Sequence, residues 1–213
     1  MIFSNTTTEV PEELLALREE GKVVFFCGAG ISAGAGLPLY RELVVKSALR
    51  AKLGITKEEQ SLLDDGLYDM FYAQLERRHS NVLELRKITA GLLKLKKNLD
   101  PSAYAVHKHL LTLSRVRKTG EIHLVTTNYD SLFDRASAAL RMEVAEYIAP
   151  LLPVPKTGKW DGLVYLHGKL SFPPSKGSLS SLVISSGDFG QAYLTERWAA
   201  RFLSELFRNI SIP

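Results

Sequence analysis

"FFCGAGISAGAGLPLYRE", residues 25–42, places Gly28, Gly30, Gly34 and Gly36 within nine residues, directly after an apolar run. The stretch "KVVFFC" that leads into it is too short for a helix and rich in β-branched and aromatic residues, which predicts a buried strand. After the glycines, "LYRELVVKSALRAKL" resumes a helical pattern. Strand, glycine turn and helix are the parts of a phosphate cradle. Glycine lets a pyrophosphate approach the main chain, and a helix N-terminus adds N–H groups and partial positive charge. In a parallel sheet such a turn lies at the C-terminal edge of the strands, where ligands bind. The same residues also suit a tight turn that binds nothing. Their spacing lacks the third glycine of the usual G-x-G-x-x-G fingerprint.

Outward from this loop, residues 10–20 predict a short helix with Pro11 at its start and Gly21 at its end. Residues 55–118 predict helix in three apolar stripes: Tyr68, Phe71, Tyr72 and Leu75; Leu85, Ile88, Leu92 and Leu95; then, past a stop at Asn98–Pro101, Val106, Leu110 and Leu113. Strand-like runs return at 122–127, 162–168 and 181–186, with helical patterns at 130–142 and about 190–208. Strands alternating with helices predict an α/β fold with a mainly parallel sheet. Residues 55–118 then form a helical insertion after the first βα unit of one domain, 1–213. The proline-rich stretch 149–161 reads as a loop between layers. At the C-terminus, "RFLSELFRNISIP" finishes a helix just as a strand begins, the pattern of a longer chain truncated here.

Composition narrows the class. The net charge of +4 is mild, and the basic clusters within 55–118 read as a solvated face without the interleaved aromatics of a base-stacking platform, so direct nucleic-acid binding is not expected. Cys27 is the single cysteine, which excludes a disulfide framework or a zinc ribbon within the chain. No apolar run reaches the length of a membrane span, and "MIFSNTTTEVPEE" has no signal-peptide pattern, so the expectation is a cytoplasmic protein that does not engage a membrane.

The longer pattern around the glycines is more specific. Gly28-Ala29-Gly30-x-Ser32-x-x-x-Gly36-Leu37-Pro38-x-Tyr40-Arg41 resembles the sirtuin motif G-A-G-x-S-x-x-x-G-I-P-x-F-R, identical at seven of nine specified positions. "TTNYD" at 126–130 is similar to the family's T-Q-N-I-D, and "LHG" at 166–168 to its catalytic histidine segment. The resemblance covers about residues 20–190. It implies a Rossmann-like domain that cleaves the nicotinamide–ribose bond of NAD, which is its substrate. By position, it implies that Gly28, Ala29, Gly30, Ser32, Gly36, Pro38, Tyr40, Arg41 and Thr127 form the dinucleotide site. Asn128 would hold the nicotinamide ribose or a water, Asp130 would recognise the nicotinamide amide, and His167 would be the general base.

Two departures stand out. The four zinc cysteines that follow the histidine in zinc-binding sirtuins are absent, so no zinc is expected and peptide deacetylation is in doubt; and Thr127 replaces glutamine. A zinc-free arrangement with N-Y-D resembles the bacterial effectors of antiphage defence that cause abortive infection by depleting NAD. That implies homo-oligomers and a possible HerA-type translocase or short Argonaute partner. A protein deacylase, an ADP-ribosyltransferase, or a silent module that senses NAD or ADP-ribose are the alternatives.

The residue chemistry suits the first of these. Histidine accepts a proton near neutral pH. An asparagine amide orients a water without adding charge. Each residue also has a plainer role open to it: His167 as a core histidine, Asn128 and Asp130 as caps of the helix that follows. His79, His107, His109 and His123 read as surface or satisfied residues, and Cys27 as buried and inert.

Overall fold

The computed structural model describes residues 10–155 and 160–209. α1 (Glu12–Glu19), β1 (Phe25–Cys27) and a 3-10 helix over Ala29–Ala35 lead into a run of helices: α2 (Tyr40–Arg50), α3 (Lys57–Asp64), α4 (Tyr68–Arg78), α5 (Val82–Leu92) and α6 (Ala105–Ser114). β2 (His123–Thr126), α7 (Leu132–Leu140), β3 (Glu146–Ile148) and β4 (Gly162–Tyr165) follow. Then come α8 (Lys176–Ser180), α9 (Ser186–Gly190), a π-helical turn over Gln191–Thr195, and α10 (Trp198–Asn209).

The described strands form one parallel sheet in the order β1-β2-β4-β3. Parallel strands require helical crossovers, which cover both faces and bury the central strands. β2 and β4 are buried at every position. Their side chains alternate: Leu124 and Leu163 pack with Leu111, Phe133 and Ala136 of α6 and α7. Val125 and Val164 pack on the opposite face with Ala192, Ala199, Phe202 and Leu206. The result is a Rossmann-like α/β architecture. A second core fills the helical lobe with Leu43, Val44, Phe71, Tyr72, Leu75 and Leu85, and runs on into Leu170, Leu182 and Ile184 beyond β4.

Register decides where the site lies. Cys27 pairs with Thr126, and Thr126 with Tyr165. The loops that follow these three residues therefore leave the sheet side by side at one edge. They are the glycine turn, the "TNYD" corner and the "LHG" segment.

Four expectations need correction. β1 is three residues long at the sheet edge, and Phe26 is 50% exposed, so the run is not a buried strand throughout. Residues 181–186 form no strand. Val183 N–H bonds the carbonyl of His167, but the N–H groups of Ile184 and Ser185 are taken by the Asp188 carboxylate, which caps α9 instead of leaving them for a ladder. The third helical stripe is rotated: Val106 and Leu113 are exposed, and α6 buries His107, Leu111 and Ser114. In the second, α5 ends before Leu95 and its buried face includes Arg86 and Thr89. β3 had no strand signal, being short, mostly exposed and closely followed by Pro150. The terminal strand pattern falls on 210–213, outside the described residues.

Candidate active site

At the sheet edge the three loops enclose a cavity of about 210 Å³, lined by Ala29, Ser32, Leu37, Pro38, Tyr40, Leu93, Thr127, Asn128, Tyr129, Asp130 and His167. It thus brings together eight of the residues that the sequence singles out. Gly28, Gly30, Gly36 and Arg41 are exposed and do not line it. Arg41 lies in the first turn of α2. Gly36 ends the 3-10 helix with φ of 77°, a left-handed conformation that favours glycine. At Gly30, by contrast, an added Cβ would meet nothing within 4 Å. Packing inside the protein gives no reason for glycine there. A ligand lying against the main chain would.

Ser32 ties the first two loops together. Its buried hydroxyl donates to Asp130 Oδ2 at 2.8 Å and accepts from Asn128 Nδ2 at 3.0 Å. His107 Nε2 lies 3.4 Å from the same oxygen, within reach of its second lone pair when the ring proton is on Nε2. Asp130 Oδ1 accepts the N–H of Leu132 at 3.0 Å at the start of α7. Asp130 thus bonds the first N–H of α7 from one position before the N-cap, Ser131, while lining the cavity wall, and the Asn128 side chain turns to Ser32. Burial raises the Asp130 carboxyl above the usual range, against the Leu132 N–H and the Ser32 hydroxyl, which pull it down. A buried carboxylate on a cavity wall is well placed to accept an N–H from a neutral polar ligand.

His167 follows β4 and is 8% exposed. Its Nε2 lies 2.9 Å from Tyr193 Oη, and Phe189 stands edge-on at 5.2 Å. Burial pulls the imidazole down to about 4, which keeps it neutral, and able to accept a proton, at pH 7. The segment after the histidine is tied by two phenols of the cavity wall: Tyr129 donates to the carbonyl of Val183 at 2.6 Å, and Tyr40 to that of Ile184.

Sequence reasoning missed His107 and Tyr193. His107 is fully buried beneath Ser32, edge-on to Phe133, with Nδ1 unpartnered. Its signal was present, since His107, Leu111 and Ser114 keep helical spacing, but the neighbouring apolar stripe hid it. Tyr193 lies far along the chain from any motif and had none. His123 is buried too, with Nδ1 3.0 Å from the carbonyl of Gly21 and its ring stacked on Trp160. Cys27 is buried, and burial pushes its thiol up to about 11, as an inert residue requires.

A stability effect follows from the two buried imidazoles. Burial lowers both His107 and His167 to about 4, below the roughly 6.5 of an unfolded histidine. Their neutral burial therefore contributes stability that is complete above pH of about 6.5 and is lost as pH falls towards about 4. The raised Asp130 runs the other way, its contribution being lost as pH rises. Thermal unfolding is expected at lower temperature at pH 5 than at pH 7, with a smaller drop in His107→Asn; equal drops in the two proteins would contradict this.

Comparison with known proteins finds relatives by sequence. Residues 122–212 match the family described as SIR2-like domain. The chain is 35% identical over 205 residues to the uncharacterized protein y4cA of Sinorhizobium fredii, covering 94% of this chain and 17% of that protein. It is 24% identical over 173 residues to the NAD-dependent protein deacetylase hst4 of Schizosaccharomyces pombe, covering 78% of this chain and 35% of that protein. The chain thus spans well under half the length of these relatives. Among the described residues no helix is long and apolar enough to cross a membrane.

Proposed function

This chain is sirtuin-like, and from that premise we propose that it hydrolyses NAD at the nicotinamide–ribose bond, releasing nicotinamide and ADP-ribose. Likeness to the SIR2-like domain and to an NAD-dependent deacetylase supports NAD-dependent chemistry in general. The observation that carries the finer reading is the convergence of Ser32, Asn128, Asp130 and His167 on one cavity beside a glycine turn with unfilled space over Gly30. The cavity is smaller than the roughly 300–1,000 Å³ that encloses a whole ligand. It suits the nicotinamide ribose, with the rest of the dinucleotide lying along the open glycine turn.

Cleavage passes through an oxocarbenium-like ribose, so the site must hold the sugar and present a nucleophile to one face. Asn128 gives an N–H to Ser32, which leaves its carbonyl oxygen to accept from a ribose hydroxyl or a water. Asp130 can accept from the nicotinamide amide. Water adds to C1′, the C1′–N bond breaks with its electron pair going to the ring nitrogen, and neutral nicotinamide leaves. His167 takes the proton that the water gives up. Water is favoured as acceptor because the segment after His167 carries no cysteines and folds as α8 and α9 against the helical lobe. The cellular role proposed with this activity is antiphage defence by NAD depletion, and it rests on the sequence resemblance alone.

The test is nicotinamide release from NAD by wild type and by Gly30→Val. An added Cβ there meets nothing within 4 Å, so the unfolding temperature should stay close to wild type while NAD binding by calorimetry and NAD consumption both fall at least about tenfold, the cost of one poor contact of about 1.4 kcal/mol. Wild-type turnover by Gly30→Val would remove the glycine turn from the site. Nicotinamide release only when an acylated peptide is added would favour a deacylase.

A further inference from the structure

The two ring nitrogens of His167 stand in different surroundings. Nε2 is engaged with Tyr193, a residue of the π-helical turn Gln191–Thr195. Tyr193 stacks on Phe189 with ring centroids 6.0 Å apart, and both rings stand edge-on to the imidazole. Nδ1 has no hydrogen-bond partner among the described residues. His167 itself lines the cavity. Single π turns are frequent at functional sites. Here the turn follows α9, whose cap residue Asp188 is held by Arg86.

We propose that Tyr193 is a positioning residue that sets the tautomer of His167, its phenol oxygen accepting Nε2–H so that the Nδ1 lone pair is bare towards the cavity. The opposite polarity, with the phenol donating to Nε2, puts the ring proton on Nδ1 and leaves no lone pair for a proton from substrate. Both the tautomer and what Nδ1 does rest on the NAD-hydrolase reading, but the tautomer is read by a measurement that needs no turnover. In that reaction the water oxygen bonds to C1′, the C1′–N pair leaves with nicotinamide, and the water's proton goes to Nδ1. The Nε2–H···Oη bond then becomes charge-assisted and steadies the imidazolium as it forms.

Tyr193→Phe tests this, because it keeps the stacked ring and removes only the hydroxyl. Nitrogen-15 NMR of histidine-labelled wild type at pH 7 is expected to show His167 protonated at Nε2 alone, and Tyr193→Phe to show a mixture of both tautomers. In turnover, kcat for NAD is expected to fall roughly 10- to 100-fold with KM little changed, the loss of one hydrogen bond to a charged group. A wild-type ring protonated at Nδ1, or a variant with wild-type tautomer or wild-type kcat, would overturn the proposal. If wild type left NAD intact, the tautomer measurement would still decide it.

Discussion

His167→Ala is expected to slow nicotinamide release from NAD by about 10²- to 10⁴-fold, the range typical of a lost general base. The expectation rests on the cavity's composition. Of the two histidines near it, His107 lies beneath Ser32, and His167 alone is on the wall. The ring is neutral at pH 7, so it adds no charge to ground-state binding, and the loss should fall on kcat while NAD affinity stays within a few-fold. Folding should survive. Tyr193 loses a partner but is only half-buried, so water can replace the imidazole. Steady-state kinetics with NAD, together with calorimetric binding to the variant, separates the two effects. Retention of activity within a few-fold would exclude His167 as the base.

The largest stability effect is expected at Arg86. Its side chain is 7% exposed. The guanidinium donates to Glu76 at 2.7 Å, to both Asp188 oxygens at 2.9 and 2.7 Å, and to the carbonyls of Leu179 and Leu182 at 3.2 Å each. Burial alone would favour its neutral form, but the two carboxylates outweigh burial and hold it charged. Arg86→Ala strands those carboxylates and carbonyls, and breaking a buried pair in this way costs about 3–5 kcal/mol. Lysine cannot reproduce a planar fork that serves four partners, so Arg86→Lys should lose much of the same stability. The readout is the urea midpoint at unchanged slope. A loss below about 1 kcal/mol would mean that water enters and solvates the cluster. The effect should also reach the site, because Asp188 caps α9 through Ser185 and takes the Ile184 N–H, in the segment that Tyr40 and Tyr129 of the cavity wall hold by hydrogen bonds.

These two residues show what the amino-acid pattern could and could not reveal. The glycine turn, Asn128, Asp130 and His167 were singled out through the resemblance of their three motifs to the sirtuin pattern, and parallel register delivers the loops that carry them to one edge. Arg86 was hidden within a helix read as an apolar stripe. Its role comes from partners 10 and 102 residues away, which no local pattern encodes. The run 181–186 looked like a strand because Leu182, Val183 and Ile184 are apolar. Their burial is real, but a side-chain cap at Asp188 consumed the N–H groups a ladder needs. In α6 the choice between two adjacent stripes turned on His107, a polar residue that tertiary packing buries despite its type.

The account's central claim is that one dinucleotide spans the glycine turn and the cavity. The most direct measurement is a crystal structure of the His167→Ala protein with NAD, a variant chosen to leave the substrate uncleaved. The account predicts the pyrophosphate against residues 28–32, the nicotinamide amide at Asp130, and C1′ of the nicotinamide ribose between Asn128 and the space vacated by the imidazole. NAD bound elsewhere on the protein, or with C1′ out of reach of both residues, would contradict it.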